Sequence, residues 1–218
     1  MYDLEILKNE AQEILDISSL TEQNVDLLNE IVNNLLQKMD LCVGIPIINI
    51  FSTIHKIGKS FFDYKMTIRL MKFYIECRNI DKIKRDKFCE KYVFGKEEKT
   101  GYYILNLLER LDTDEKAALV GKLYVYCVEN GYDINSYFRV CRIVEKCYFD
   151  DLRFLIYWRE HETICSQNKF IPQEIMESLY SGGLLAECGI NGGGFKADDD
   201  SGTIYALNKY SDIILQII

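Results

Sequence analysis

Proline occurs only twice in 218 residues, at Pro46 and Pro172, and this scarcity most narrows what the chain can fold into. Proline lacks a main-chain donor and its ring collides with the preceding helical turn, so a chain nearly free of it can run through long helices. The apolar residues fall at helical intervals. Residues 2–17 place Leu4, Leu7, Ala11, Ile14 and Leu15 on one stripe. After Thr21, a candidate N-cap, Val25, Leu28, Ile31, Val32, Leu35, Leu36 and Met39 recur every three or four positions. Apolar residues make up 48 % of the chain, enough for a substantial core, and this argues against disorder.

The same reading extends along the chain. Helices are expected over 64–78 and over 81–93, the second opened by Asp81. Gly95–Gly101 is polar and bounded by glycines, and reads as a linker. A helix over 102–111 follows. Asp112 then stands three places before Glu115, a capping-box spacing that predicts a helix running to Asn130 and stopping at Gly131. Asp133 should cap another to about Cys147, and Asp150 or Asp151 should start one through Glu160. The C-terminal part changes character. Pro172–Tyr180 reads as a helix ended by Gly182 and Gly183. Thr203–Leu207 alternates with β-branched and aromatic content, so a hairpin is expected within 184–207, with a polar tip at Asp198–Gly202. Asn208–Ile218 closes as a helix. The expected fold is mainly α, a multi-helix bundle or array with a small C-terminal β-hairpin. Its expected domains are an N-terminal helical one over 1–94, a helical array over 102–149 and a module over 150–218.

Charge is unevenly spread over a chain whose net value is −8. Residues 41–100 hold thirteen Lys and Arg against seven acids, while the segments on either side are each strongly acidic. Within this basic middle, Leu41–Phe51 is almost wholly apolar and carries Gly44 and Pro46, which suit a tight turn before a helix. Such a run is too short to cross a bilayer, which takes roughly 20 residues. The reading we favour is a buried turn and core helix, with Ile45, Ile47, Ile48, Ile50 and Phe51 inside. The alternative is a segment lying on a partner or a membrane surface, with Ile47, Phe51, Lys56, Lys59, Lys65 and Arg69 facing it.

Catalytic supply is thin. With two histidines, His55 and His161, triad and Cys–His arrangements have little to draw on. His161-Glu162-Thr163-Ile164-Cys165 would place imidazole and thiol on one helix face, but it lacks the second histidine of the H-E-x-x-H metal motif and has no further ligand pair nearby. An incidental helix end is the expectation. Gly189–Gly194 lacks the Lys-Ser/Thr of a phosphate loop and reads as a flexible connection. No cofactor, no metal and no enzymatic activity are expected. The eight cysteines, at 42, 77, 89, 127, 141, 147, 165 and 188, do not suit a disulfide scaffold in so long and apolar a chain, and no signal peptide is read at its start. Free thiols in a reducing cytoplasm are the expectation.

The order of elements near the C-terminus, a helix ending in SLYSGGLL, a hairpin, then IYALNKYSDIILQII, resembles the end of winged-helix domains over about residues 150–218. That resemblance implies a winged-helix-like module. Such modules often bind DNA, yet here the would-be recognition helix offers Gln173, Glu174 and Glu177, and the wing offers Asp198, Asp199 and Asp200, all unsuited to phosphate. Nucleic acid is therefore disfavoured as a partner. The apolar hairpin, basic helix, capped array and terminal wing together resemble uncharacterised bacterial proteins associated with prophage and phage-defence loci. The implied role is a non-enzymatic protein-interaction or regulatory protein in phage–host conflict. Its partner would be another protein, with a second copy of the chain a further candidate. The alternative is a peripheral membrane-associated or membrane-perturbing effector acting through residues 41–72 on an anionic surface.

Overall fold

The computed structural model describes residues 44–45, 61–78, 80–192 and 201–218. The helices expected over 2–17 and 21–39, and Ile47, Ile48, Ile50 and Phe51, lie outside these residues. The chain divides into two compact units, residues 1–109 and 110–218.

In the first unit, α1 (Phe61–Cys77) buries Met66, Leu70, Phe73 and Cys77, spaced by four, three and four residues as one helix stripe requires. Asp81 starts α2 (Lys82–Phe88) as expected, its carboxylate accepting from the Lys84 N–H at 2.9 Å. The helix continues into a π-helical stretch, Cys89–Val93, closed by a bond from the Phe94 N–H to the Cys89 carbonyl. That wider turn brings Phe88 and Val93, five apart and both buried, toward one side. Ile45 is buried too, as the core reading expects of it. Beside it the Cys89 thiol donates to the Gly44 carbonyl at 3.5 Å.

α3 (Glu97–Arg110) takes in most of the expected linker. Its polar start is a first helical turn, in which Glu97 and Glu98 sit at the positive end of the helix dipole. The Thr100 hydroxyl donates to the Lys96 carbonyl, and Thr100 and Gly101 are buried. Ile104, Leu105, Leu107 and Leu108 complete the inward face.

The second unit opens with an antiparallel pair, α4 (Asp114–Asn130) and α5 (Ile134–Lys146). Gly131 ends α4 with φ 72°, a conformation glycine adopts without steric cost. Asp133 caps α5, accepting from the Asn135 and Ser136 amides. At the start of α4 the expectation needs correcting. Thr113, and not Asp112, is the cap, accepting from the Lys116 N–H, while Asp112 pairs with the Lys116 ammonium at 2.8 Å. Tyr124 and Tyr137 meet edge to face at 5.5 Å in the core of this pair.

The segment Phe149–Arg159, expected as an α-helix, is a run of 3₁₀ turns. Its buried residues explain the difference. Leu152, Leu155 and Trp158 are spaced by three, the period of a 3₁₀-helix and not of an α-helix. Asp151 does not cap; it accepts from the Ser178 hydroxyl at 2.6 Å.

A strand that the sequence reading did not place, β1 (Ile164–Gln167), comes next, followed by α6 (Gln173–Gly182). The expected hairpin is β2 (Leu185–Asn191) and β3 (Ser201–Leu207), and α7 (Lys209–Leu215) closes the chain. The sheet is antiparallel in the order β1-β3-β2, with Ile164 opposite Tyr205 and Leu185 opposite Leu207. The Trp158 indole donates to the Tyr205 carbonyl at 3.2 Å, tying the 3₁₀ segment to the central strand. Asn208 and Ser211 form a capping box at α7, and the Ser211 hydroxyl donates to the Leu184 carbonyl. The chain is thus mostly helical with a small C-terminal sheet. Among the described residues no helix is long and apolar enough to cross a membrane.

Candidate functional site

Of the residues expected to face a partner or a membrane, Ile47, Phe51, Lys56 and Lys59 lie outside the described residues. Lys65 is exposed on α1. Arg69 is not on that surface: it is 4 % exposed, and its guanidinium donates to the carbonyls of Leu108 (3.1 Å) and Glu109 (2.9 Å). Those carbonyls belong to the last turn of α3, where a cation is favoured. Arg69 therefore closes a helix end.

His161 and Cys165 do not share a helix face. His161 stands in the turn before β1, and Cys165 lies within that strand. No group of metal-ligating side chains gathers among the described residues. Cys77, Cys89, Cys127, Cys141, Cys147, Cys165 and Cys188 are free thiols. Burial pushes Cys127 up to about 12 and Cys147 up to about 11, and raises Cys141 as well, so these sulfurs are held as inert thiols.

A polar cluster organises the buried end of α4. Lys116 is 1 % exposed; its ammonium pairs with Asp112 and donates to the Glu145 carbonyl at 3.2 Å. The Glu145 carboxylate in turn receives Arg110 at 2.8 Å and Arg142 at 3.0 Å. Burial would raise the Glu145 carboxyl, but the two guanidinium groups prevail and hold it below its usual range. Every charge here has an opposite partner. The cluster clamps α5 to the start of α4.

Exposed aromatic side chains gather elsewhere in the same unit, at the 3₁₀ segment and the loop after β1. Because the buried side chains of 3₁₀ turns recur every third residue, the residues between them turn away from the core: Ile156 and Tyr157 are exposed and Phe154 is half-buried. Phe154 stacks on Tyr157, Tyr157 on Phe170, and Phe170 on His161, each pair with ring centres 6.2 Å apart. The Arg153 guanidinium lies over the Phe154 ring at 5.3 Å. Ile156 and Phe170 are 50 % and 57 % exposed, so this is a shelf and not a core.

The shelf is held in place by Asn168. Its side-chain oxygen accepts from the Phe170 and Ile171 amides, both at 2.7 Å, and its amide donates to the Cys165 carbonyl at 2.8 Å. These bonds fix the Ser166–Gln173 loop, which bounds a shallow depression of about 460 Å³. The sequence carried a signal for the shelf, the aromatic density from Phe154 to Phe170. It was hidden by an α-helical reading that turned those rings to the wrong faces.

Chemically, such a shelf offers rigid apolar area with polar edges, which suits burial against another surface. Comparison with family models, with curated proteins and with solved structures returns no match, so the shelf has to be read from its own geometry.

Proposed function

We propose that this is a non-enzymatic interaction or regulatory protein that docks another protein on the aromatic shelf of residues 153–170. The observation that supports this is the stack Phe154–Tyr157–Phe170–His161, half-buried at Phe154, exposed at the other three rings, and pinned at Phe170 by the Asn168 loop. A pre-organised ring loses little side-chain entropy on binding, which is why rigid aromatic residues serve as interface anchors.

The winged-helix-like reading of the C-terminal module draws support from the order β1-β3-β2 and from α6 preceding the hairpin. It departs from that layout in having one helix between β1 and β2. Gln173, Glu174 and Glu177 are all exposed on α6, so phosphate would meet acids there, and a protein partner fits better than DNA. A setting in phage–host conflict rests on the sequence resemblance. Membrane association through residues 41–72 loses Arg69 from its cationic face.

The test compares the wild-type chain with the double variant Tyr157→Ser/Phe170→Ser. Both side chains are exposed, so the variant should keep the wild-type circular dichroism. Affinity capture from the native host should recover a protein with the wild type and lose it with the variant. Recovery of the same proteins by both chains would remove the shelf from the reading.

A further inference from the structure

The outward side of α2 and of the π-helical stretch that continues it has an unusual composition. Its inward residues, Phe88 and Val93, are 4 % and 0 % exposed. Outside stand Lys82, Lys84, Lys87 and Lys91, all exposed, with Ile83 and Phe94 at the two ends, 65 % and 78 % exposed. Ile83 and Lys87 stand four apart on α2, Lys91 follows in the π-helical stretch, and Phe94 lies just past its end. Among the described residues, nothing buries these two large apolar side chains.

Among the described residues the charges on this side are not cancelled locally. Asp86 is taken up by Arg85, whose guanidinium meets it at 2.7 Å. Asp81 is occupied as the cap. Glu90 remains, against four lysines. In a chain of net charge −8 this is a concentrated cationic face.

We infer that this face is a docking surface for an anionic phospholipid membrane, used independently of the aromatic shelf. Lysine suits the role because its long stem lies along apolar surface while the ammonium stays in the headgroup layer. Ile83 and Phe94 reach past the lysines into the boundary of the acyl chains, where an interfacial helix buries its apolar residues. Lipid fits better than nucleic acid. The arginine present is committed to Asp86, and an aliphatic Ile83 gives no stacking face for a base, whereas both it and Phe94 gain by entering hydrocarbon.

The experiment is co-sedimentation of the full chain with vesicles of phosphatidylcholine mixed with phosphatidylglycerol, beside vesicles of phosphatidylcholine alone. A labelled single-stranded oligonucleotide is titrated in parallel. The chain should bind the mixed vesicles, release them as salt is raised, and ignore the neutral ones. Lys87→Glu/Lys91→Glu should lower vesicle affinity by about a hundredfold or more. Phe94→Ser should weaken it by about tenfold at constant charge. All three positions are exposed, and circular dichroism checks that the fold is kept. The inference is overturned if the wild type ignores anionic vesicles, or if these variants bind them like the wild type. It is overturned equally if the oligonucleotide binds and vesicles do not.

Discussion

At the scale of single residues, one tight constraint lies where a helix ends against a sulfur. A Cβ built on Gly182, the last residue of α6, would overlap the Cys147 sulfur beyond α5. Gly182 shows no positive φ, so what demands glycine here is space and not backbone conformation. Gly182→Ala should therefore destabilise the protein by about 1–3 kcal/mol, the usual cost of overfilling a packed site. Combining it with Cys147→Ala should remove most of that cost. Alanine is intrinsically the better helix former by up to about 1 kcal/mol, so once space exists the Gly182 change should be neutral or favourable. Urea denaturation of the two single variants and the double variant measures the coupling. Strictly additive effects would show that the glycine is required for some other reason. Arg69 shows the same dependence on context. Its place in a basic run suggested a surface, but in the fold it serves the end of α3. Nothing local announces this, because the carbonyls it meets are about forty residues away in the chain.

At the scale of elements, the start of α4 separates a cap from an ion pair. Thr113→Ala removes the acceptor for the Lys116 amide and should cost about 1 kcal/mol. Asp112→Ala leaves the buried Lys116 ammonium without its carboxylate and should cost more, about 1–3 kcal/mol. Thermal melts of the two variants measure both losses, and an unchanged melt for Thr113→Ala would remove the capping role from it. The sequence reading missed this by one residue, since Asp and Thr both cap well and only the backbone shows which one does. Elsewhere the punctuation was legible. Asp81, Gly131, Asp133 and Asn208 begin or end helices where their chemistry predicts. The misses share a cause. Leu152, Leu155 and Trp158 obey a period of three, which passes for α-helix in a short window. Four-residue β1 carries no alternation of its own and exists because β3 pairs with it some forty residues later. The aromatic shelf depends on both of those elements, so it could not be assembled until they were known.

At the scale of the whole molecule, the thiols report on how the chain is packed. Cys188 lies exposed on β2, an edge strand, while Cys77 is buried in the first unit and Cys127, Cys141 and Cys147 are buried in the second. A thiol reacts through its thiolate, and burial raises the pKa of Cys127, Cys141 and Cys147, so exclusion of reagent and suppression of ionisation act together. In native buffer near neutral pH, Cys188 should react with an aromatic disulfide reagent well before the buried thiols, by a wide margin. The three buried thiols of residues 110–218 should react only as that unit opens. Tyr124 on Tyr137, Gly182 against Cys147 and the Glu145 clamp link α4, α5 and α6, so opening should be cooperative across those helices. Pulse labelling along a urea series, with each site followed by mass spectrometry, should give one common midpoint for Cys127, Cys141 and Cys147. Separate midpoints would mean that the helical pair and the sheet-bearing part unfold as distinct pieces. Cys77 provides the independent reading for residues 1–109, and its midpoint relative to the others tells whether the two units share one transition. Under denaturing, non-reducing conditions all eight thiols of the sequence should titrate. A lower count in fresh protein would mean that a disulfide has formed.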